Sequence, residues 1–389
     1  MNKRLLLIAL LYSGATLALS PGSDLNFTPD GKGVSTYYMM GGGVSKDLNH
    51  TTFEPVKPRE LFRDKEQLTP ELKAKMDQMY ESDPNNLSMI LLDHGTIVYE
   101  RNKDVNTQYL GWSFAKGVTH LLVGSAVCRG DIKSLDDTAE SYAPELKNNA
   151  YGPATIRQLL SMTSGAPGPD RQGTGENPGD FWLLSKQYKS QLDLINNPKN
   201  AKIYEHDYTY DNLNTSAIGI VLDHLKGTEY YMKELVSNSH TEQPMYWFND
   251  RENRINASYG LSATLTDWAH LAQYSLDSIK GANGKCLQDY MLNSVKTQVK
   301  PEETTIYFGY GTGVWTNPKI KNGYTWLGMY GQKTWVDPNH ELVLILFRNR
   351  HSDEFNTKLG SVWRNWRETT QSQNAAVQGS VTVQQAPRK

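Results

Sequence analysis

The spacing of apolar and polar positions changes character twice along this chain. Ser88 to Leu92 and Thr96 to Arg101 are short apolar runs on either side of Asp93-His94-Gly95, which predicts a β-hairpin with a tight turn. Just before them, Leu68 to Ser82 reads as a helix with Thr69 as a cap and Pro70 in its first turn. After them, Lys116 to Arg129 consists of helix formers and apolar residues, and Gly130 closes the run as a C-terminal cap would. Residues 131–290 read as mainly helical with long loops. Helices are predicted at Thr155 to Met162, at Thr215 to Lys226 stopped by Gly227, and at Thr264 to Asp277 with Thr264 or Thr266 as cap. Strand composition, aromatic and β-branched, returns at Ile306 to Trp315, Thr325 to Tyr330, Thr334 to Asp337 and Leu342 to Asn349. A last helix, Asn356 to Thr369, carries Trp363 and Trp366. Strands at both ends with helices between them predict an α+β fold. It is an antiparallel β-sheet, its halves meeting late in the chain, flanked by helices and carrying a helical lobe at about residues 131–290.

The ends of the chain follow other rules. Met1-Asn2-Lys3-Arg4 is basic, Leu5 to Leu11 is apolar and Ala15 to Ser20 are mostly small. Residues 1–20 therefore read as a signal peptide, too short in its apolar part to span a bilayer. The expected location is periplasmic or secreted, with no membrane anchor once the signal is removed. Residues 21–65 show little periodicity and read as an irregular arm, residues 66–370 as the catalytic domain, and the Gln-, Ala- and Val-rich residues 371–389 as a disordered tail. The formal net charge is −2 with 21% charged residues, which argues against nucleic acid as a partner. The 22 Tyr and 9 Trp suit a globular fold and an aromatic-lined cleft. Export permits a disulfide between Cys128 and Cys286, but the apolar run around Cys128 favours a buried free thiol there.

Ser113-Phe114-Ala115-Lys116 is the only S-x-x-K in the chain, and it falls where a helix should begin. Residues three apart share a helix face, so Lys116 stands one turn above the Ser113 hydroxyl. A serine hydroxyl is a weak nucleophile that needs an adjacent base. Lysine serves as that base only when burial or a nearby cation holds it neutral. The unpaired N–H groups of a helix start also favour a developing oxyanion. On the motif alone, a surface Ser beside a solvated Lys is the more frequent case, so its weight depends on partners elsewhere. Tyr210-Asp211-Asn212, just before the Thr215 helix, can present a phenol and an amide together, and a phenol can relay a proton. A loop tyrosine packing on its neighbours is the alternative. Trp326-Leu327-Gly328-Met329-Tyr330-Gly331 reads as a strand in which glycine marks a close approach by another backbone or a ligand. No metal or cofactor is expected. None of the nine His forms H-E-x-x-H, Gly41-Gly42-Gly43 lacks the Lys-Ser/Thr of a phosphate loop, and a G-x-S-x-G elbow is absent.

The order of these elements carries a resemblance. S-x-x-K is followed by Gly130 to Asp137, by Thr155-Ile156-Arg157-Gln158-Leu159-Leu160 leading to Thr163-Ser164-Gly165, by Tyr-x-Asn, by Phe308-Gly309-Tyr310-Gly311, and by a Gly-bearing strand before Asp337-Pro338. This resembles the serine β-lactamase and D-alanyl-D-alanine peptidase superfamily on its class C side, over about residues 66–368. Tyr210 to Asp223 with Gly331-Gln332 and Trp335 to Pro338 is most similar to 6-aminohexanoate-dimer hydrolases and related esterases. The resemblance implies Ser113 as acylated nucleophile, Lys116 as its base and Tyr210 as the proton relay. It implies an oxyanion hole from the Ser113 and Met329 N–H groups, Asn212 in contact with Lys116 or the substrate, and substrate contacts at Trp326 and Gly328. The expected function is hydrolysis of a small-molecule amide or ester through an acyl-enzyme. The alternatives are a β-lactamase or D-alanyl-D-alanine carboxypeptidase, or a penicillin-binding sensor without turnover. One position departs from the family: its third motif usually opens with Lys or His, and here Trp326 stands there. Lys333 does not fit the motif. The expectation is therefore a neutral or partly apolar acyl group.

Overall fold

The computed structural model describes residues 49–102, 104–166, 184, 188–197, 203, 205–304, 306, 308–317 and 319–384. The expected signal peptide, most of the expected arm and Gly41-Gly42-Gly43 lie outside the described residues.

A seven-stranded antiparallel sheet runs through the molecule in the order β3-β2-β11-β10-β9-β8-β7. Strands β2 (Asn86–Asp93) and β3 (Thr96–Asn102) form the expected hairpin, and β11 (Leu342–Arg348) lies against β2 from the far end of the chain. Beyond it come β10 (Lys333–Asp337), β9 (Tyr324–Leu327), β8 (Trp315–Thr316) and β7 (Gly309–Tyr310). Strand β11 is buried along its whole length, because side chains alternate between two covered faces. Ile90, Leu92, Ile345 and Phe347 point to the larger core, whereas Met89, Leu91, Leu344 and Leu346 point to a second one. The second core is closed by helix α1 (Pro70–Glu81) through Leu72, Met76 and Met79, and by the last helix through Phe355, Leu359, Trp363 and Trp366. The larger core is closed by α2 (Phe114–Cys128) and the helices packed on it.

Those helices form the lobe. They are α3 (Ala139–Tyr142), α4 (Ile156–Leu160), α5 (Gln191–Ile195), α6 (Asn212–Leu225), α7 (Thr228–Ser239), α8 (Leu265–Lys280) and α9 (Lys285–Ser294), followed at the chain end by α10 (Asp353–Gln384). Thr69 caps α1, a Thr155–Gln158 capping box opens α4, and Thr264 rather than Thr266 caps α8.

The differences from expectation have local causes. A second, four-stranded sheet, β1-β5-β6-β4, was not anticipated. Its strands β1 (His50–Phe53), β4 (Tyr109–Leu110), β5 (Met245–Phe248) and β6 (Leu261–Ala263) are too short to show a period, and only tertiary pairing defines them. It draws the end of the expected irregular arm into the fold and places strands inside the expected helical lobe. The run Ile306 to Trp315 splits into β7 and β8 because the chain reverses between them, the Gly311 N–H donating to the Val314 carbonyl at 2.9 Å and Gly313 taking φ +79°. Helix α10 (Asp353–Gln384) begins before Asn356 and continues past Thr369, the bounds expected for it. Cys128 is neither buried nor free: it is exposed at the end of α2 and bonded to Cys286 at the start of α9. The buried face of α2 ends at Ala126, with Val127 half-buried, which the composition of the run did not reveal.

Candidate active site

Helix α2 begins in a turn. The Gly111 carbonyl accepts the Phe114 N–H at 3.0 Å, and Trp112 between them takes φ +52°. Ser113 stands at the N-cap position, but its side chain makes no capping bond, so the hydroxyl is left for other partners. Lys116 is 2% exposed and reaches back along the helix. Its Nζ lies 3.1 Å from Ser113 Oγ, 2.7 Å from Asn212 Oδ1 and 2.8 Å from the Ser258 carbonyl oxygen. The Tyr210 ring stands beside the same nitrogen, 5.1 Å from it to the ring centroid. S-x-x-K and Tyr-x-Asn, ninety-odd residues apart in sequence, thus meet at one atom.

The partners are held by groups that the motifs do not include. Asp211, fully buried, accepts the Leu213 N–H at 2.8 Å and the Tyr151 hydroxyl at 2.6 Å. It is the N-cap of α6, which therefore starts at Asn212 rather than at Thr215. An Asp immediately before an apolar helical run is a cap signature, so this residue was legible. The Ser258 carbonyl was not, because no side-chain type marks it. Asn256 fixes it by accepting the Ser258 N–H at 3.2 Å and the Ser258 hydroxyl at 2.7 Å. Thr119, one turn beyond Lys116, ties α2 to the neighbouring Ala257 carbonyl at 2.7 Å.

Two aromatic groups flank the helix start. On the Tyr210 side, that ring stacks on Trp315 at 5.3 Å and meets Tyr310 edge-on at 6.0 Å, with Tyr208 and Phe308 alongside, partly buried. On the other side lies Trp326, 3% exposed. Its indole covers Gly117, where a Cβ would approach Nε1 to 2.3 Å, and it meets Phe114 at 6.2 Å. Trp326 is thus packed into the core against the helix that Ser113 opens. Lys333 supplies no substitute cation at that place, because with Trp335 it points to the opposite sheet face, toward α10.

Strand β9 ends at Leu327, short of the expected Tyr330, and residues 328–331 form a tight turn. Gly328 is pressed against the turn that precedes Ser113: a Cβ there would come within 2.4 Å of the Gly111 carbonyl oxygen. Met329 follows with its side chain exposed. Among the described residues, no protein group accepts a hydrogen bond from the Ser113 or Met329 N–H. Among them, too, no group of three or more His, Cys, Asp or Glu side chains could hold a metal ion, and no helix is long and apolar enough to cross a membrane.

The β-lactamase family model matches residues 77–362, and the chain belongs to that family, within the serine β-lactamase and D-alanyl-D-alanine peptidase superfamily. The fold is shared with solved structures of low sequence identity. A putative 6-aminohexanoate-dimer hydrolase from Bacillus anthracis is 20% identical with a TM-score of 0.67, over 84% of this chain and 91% of that one. EstCE1, a hydrolase with promiscuous acyltransferase activity, is 14% identical with a TM-score of 0.60, over 75% and 98%. A class C β-lactamase in complex with cefoxitin is 14% identical with a TM-score of 0.56, over 76% and 99%. No curated protein sequence matches the chain.

Proposed function

We propose that this protein is an exported serine hydrolase that cleaves a small amide or ester through an acyl-enzyme on Ser113. The observation that carries this reading is the placement of Lys116 Nζ, 3.1 Å from Ser113 Oγ and bound at the same time to Asn212 and Ser258. A neutral amine has two N–H donors and one lone pair. With the donors directed at two fixed carbonyl-type oxygens, the lone pair points to the Ser113 hydroxyl and takes its proton as Oγ attacks the substrate carbonyl. The resulting oxyanion is met by the unused N–H groups of Ser113 and Met329. Tyr210, beside Nζ, protonates the leaving amine or alcohol. It then accepts a proton from the water that attacks the acyl carbon, while Lys116 returns its proton to the departing Ser113 Oγ, so that the acid is released and all three side chains are restored.

The substrate class follows from the surroundings. The motif position that could offer a cation holds a buried Trp326, and the Tyr210 side carries an aromatic wall of half-buried Tyr208 and Phe308 backed by buried Tyr310 and Trp315. An uncharged, partly apolar acyl group suits that wall better than the carboxylate of a penicillin or a D-Ala-D-Ala peptide. Location in the periplasm or outside the cell is supported by the basic and apolar start of the chain and by the Cys128–Cys286 disulfide.

A fluorophosphonate probe should label the tryptic peptide that contains Ser113, and Ser113→Ala should abolish both labelling and turnover. Labelling at another serine would refute the assignment. A panel of p-nitrophenyl esters, short linear amides, D-amino-acid peptides and nitrocefin should show the highest kcat/KM for an uncharged ester or amide. Fast nitrocefin hydrolysis would identify a β-lactamase instead, and stoichiometric labelling without product release a sensor.

A further inference from the structure

We propose that Tyr330 is a positioning residue, whose ring, set against Trp112, locks the 328–331 turn onto the nucleophile's turn and so holds the Ser113 and Met329 N–H groups at the spacing an oxyanion needs. The inference rests on the acyl-enzyme reading above and adds to it a residue that touches no substrate.

Each of the two residues adjoins one donor. Trp112 precedes Ser113 and Tyr330 follows Met329. Both lie in the left-handed region, at φ +52° and φ +66°. That conformation is uncommon for residues other than Gly, Asn and Asp, and an aromatic side chain gains nothing from it locally. A glycine in either place would adopt it freely. The rings therefore supply something that glycine would not, and the contact between them is visible: they meet edge to face, with centroids 5.6 Å apart and planes at 63°. Trp112 is 6% exposed, so its side of the contact is fixed by the core. Gly328 supplies the second point of attachment, its Cα against the Gly111 carbonyl. With one contact before Met329 and one after it, the backbone carrying that N–H cannot shift relative to Ser113 without separating the rings. Between Gly328 and Gly331 (φ +98°), the turn would otherwise have freedom to do so.

The test separates backbone strain from positioning. Tyr330→Gly relieves the left-handed conformation and removes the ring. Its melting temperature should stay close to that of the wild type, while kcat falls about 10- to 100-fold with KM within about twofold, because a misplaced donor loses transition-state stabilisation. Affinity for a boronic acid, which forms a tetrahedral adduct on serine, should fall by the same factor as kcat. Tyr330→Phe, which keeps the ring, should restore both. Tyr330→Asn, which tolerates the left-handed region, is the second ringless variant should the glycine form fail to fold. Full kcat in both ringless variants would overturn the proposal, as would an equal loss in Tyr330→Phe, which would assign the effect to the hydroxyl. Failure of the underlying reading looks different: Ser113→Ala would then retain turnover whatever Tyr330 does.

Discussion

The two aromatic clusters beside the start of α2 are made of the same residue types and serve opposite ends. Trp326, Phe114 and Trp268 form a closed group, with Phe114 and Trp268 in edge-to-face contact at 5.3 Å and all three buried. Tyr210, Tyr310 and Trp315 form the other, which stays open at Tyr210, beside the Lys116 amine. In the first, the indole fills the space that a side chain at residue 117 would occupy, and the reward is burial. In the second, a phenol keeps one face on the core and one on the chemistry. Aromatic content near a catalytic motif therefore does not by itself mark a cleft. What decides is whether the ring faces a helix backbone or the Ser113–Lys116 pair.

Substitutions can break this comparison. The largest effects should come from the open cluster's own chemistry. Lys116→Ala and Tyr210→Phe should each lower kcat about 10²- to 10⁴-fold in steady-state assays with the best ester of the panel, and the double variant should lose less than the product of the two. Near-full activity in Tyr210→Phe would return that residue to the packing role. Next comes Trp326→Ala, which should destabilise the protein by about 3–5 kcal/mol in denaturant titration, as large-to-small core changes do. The ranking of substrates should stay unchanged. A switch toward carboxylate-bearing substrates would mean that Trp326 faces the cleft after all. Gly117→Ala should cost about 1–3 kcal/mol by overpacking against the same indole, and Trp326→Phe should recover part of that loss. The smallest effect is expected for Trp315→Leu. Losing one aromatic stack of about 0.5–1.5 kcal/mol should shift kcat/KM between an aromatic and a short aliphatic acyl ester by up to about tenfold, and because Trp315 is itself buried the melting midpoint should fall as well.

Legibility followed the range of the interaction. The Asp93-His94-Gly95 hairpin, the caps Thr69, Thr155 and Thr264, and the Ser113–Lys116 spacing all depend on residues within a few positions of one another, and each was readable from the chain. So was the order of motifs that carries the family resemblance. The second sheet was not, because β4 has two residues and β6 three, and neither shows a period until its partner is in place. The exposed disulfide was misread for a related reason: a helix's composition does not say at which turn its apolar face ends.

The same division runs through the site. That Ser113 opens a helix with Lys116 one turn on is a property of the sequence, since helical geometry fixes the separation of residues three apart. Which atoms then hold the amine is a tertiary matter: Asn212 arrives on α6, the Ser258 carbonyl on a loop before β6, and Tyr210 stands beside the amine from the residue before the Asp211 cap. The burial of Trp326 belongs there too. A strand residue has two faces available, and only the packing of β9 against α2, at the helix position where Gly117 leaves room, decided which face this indole took.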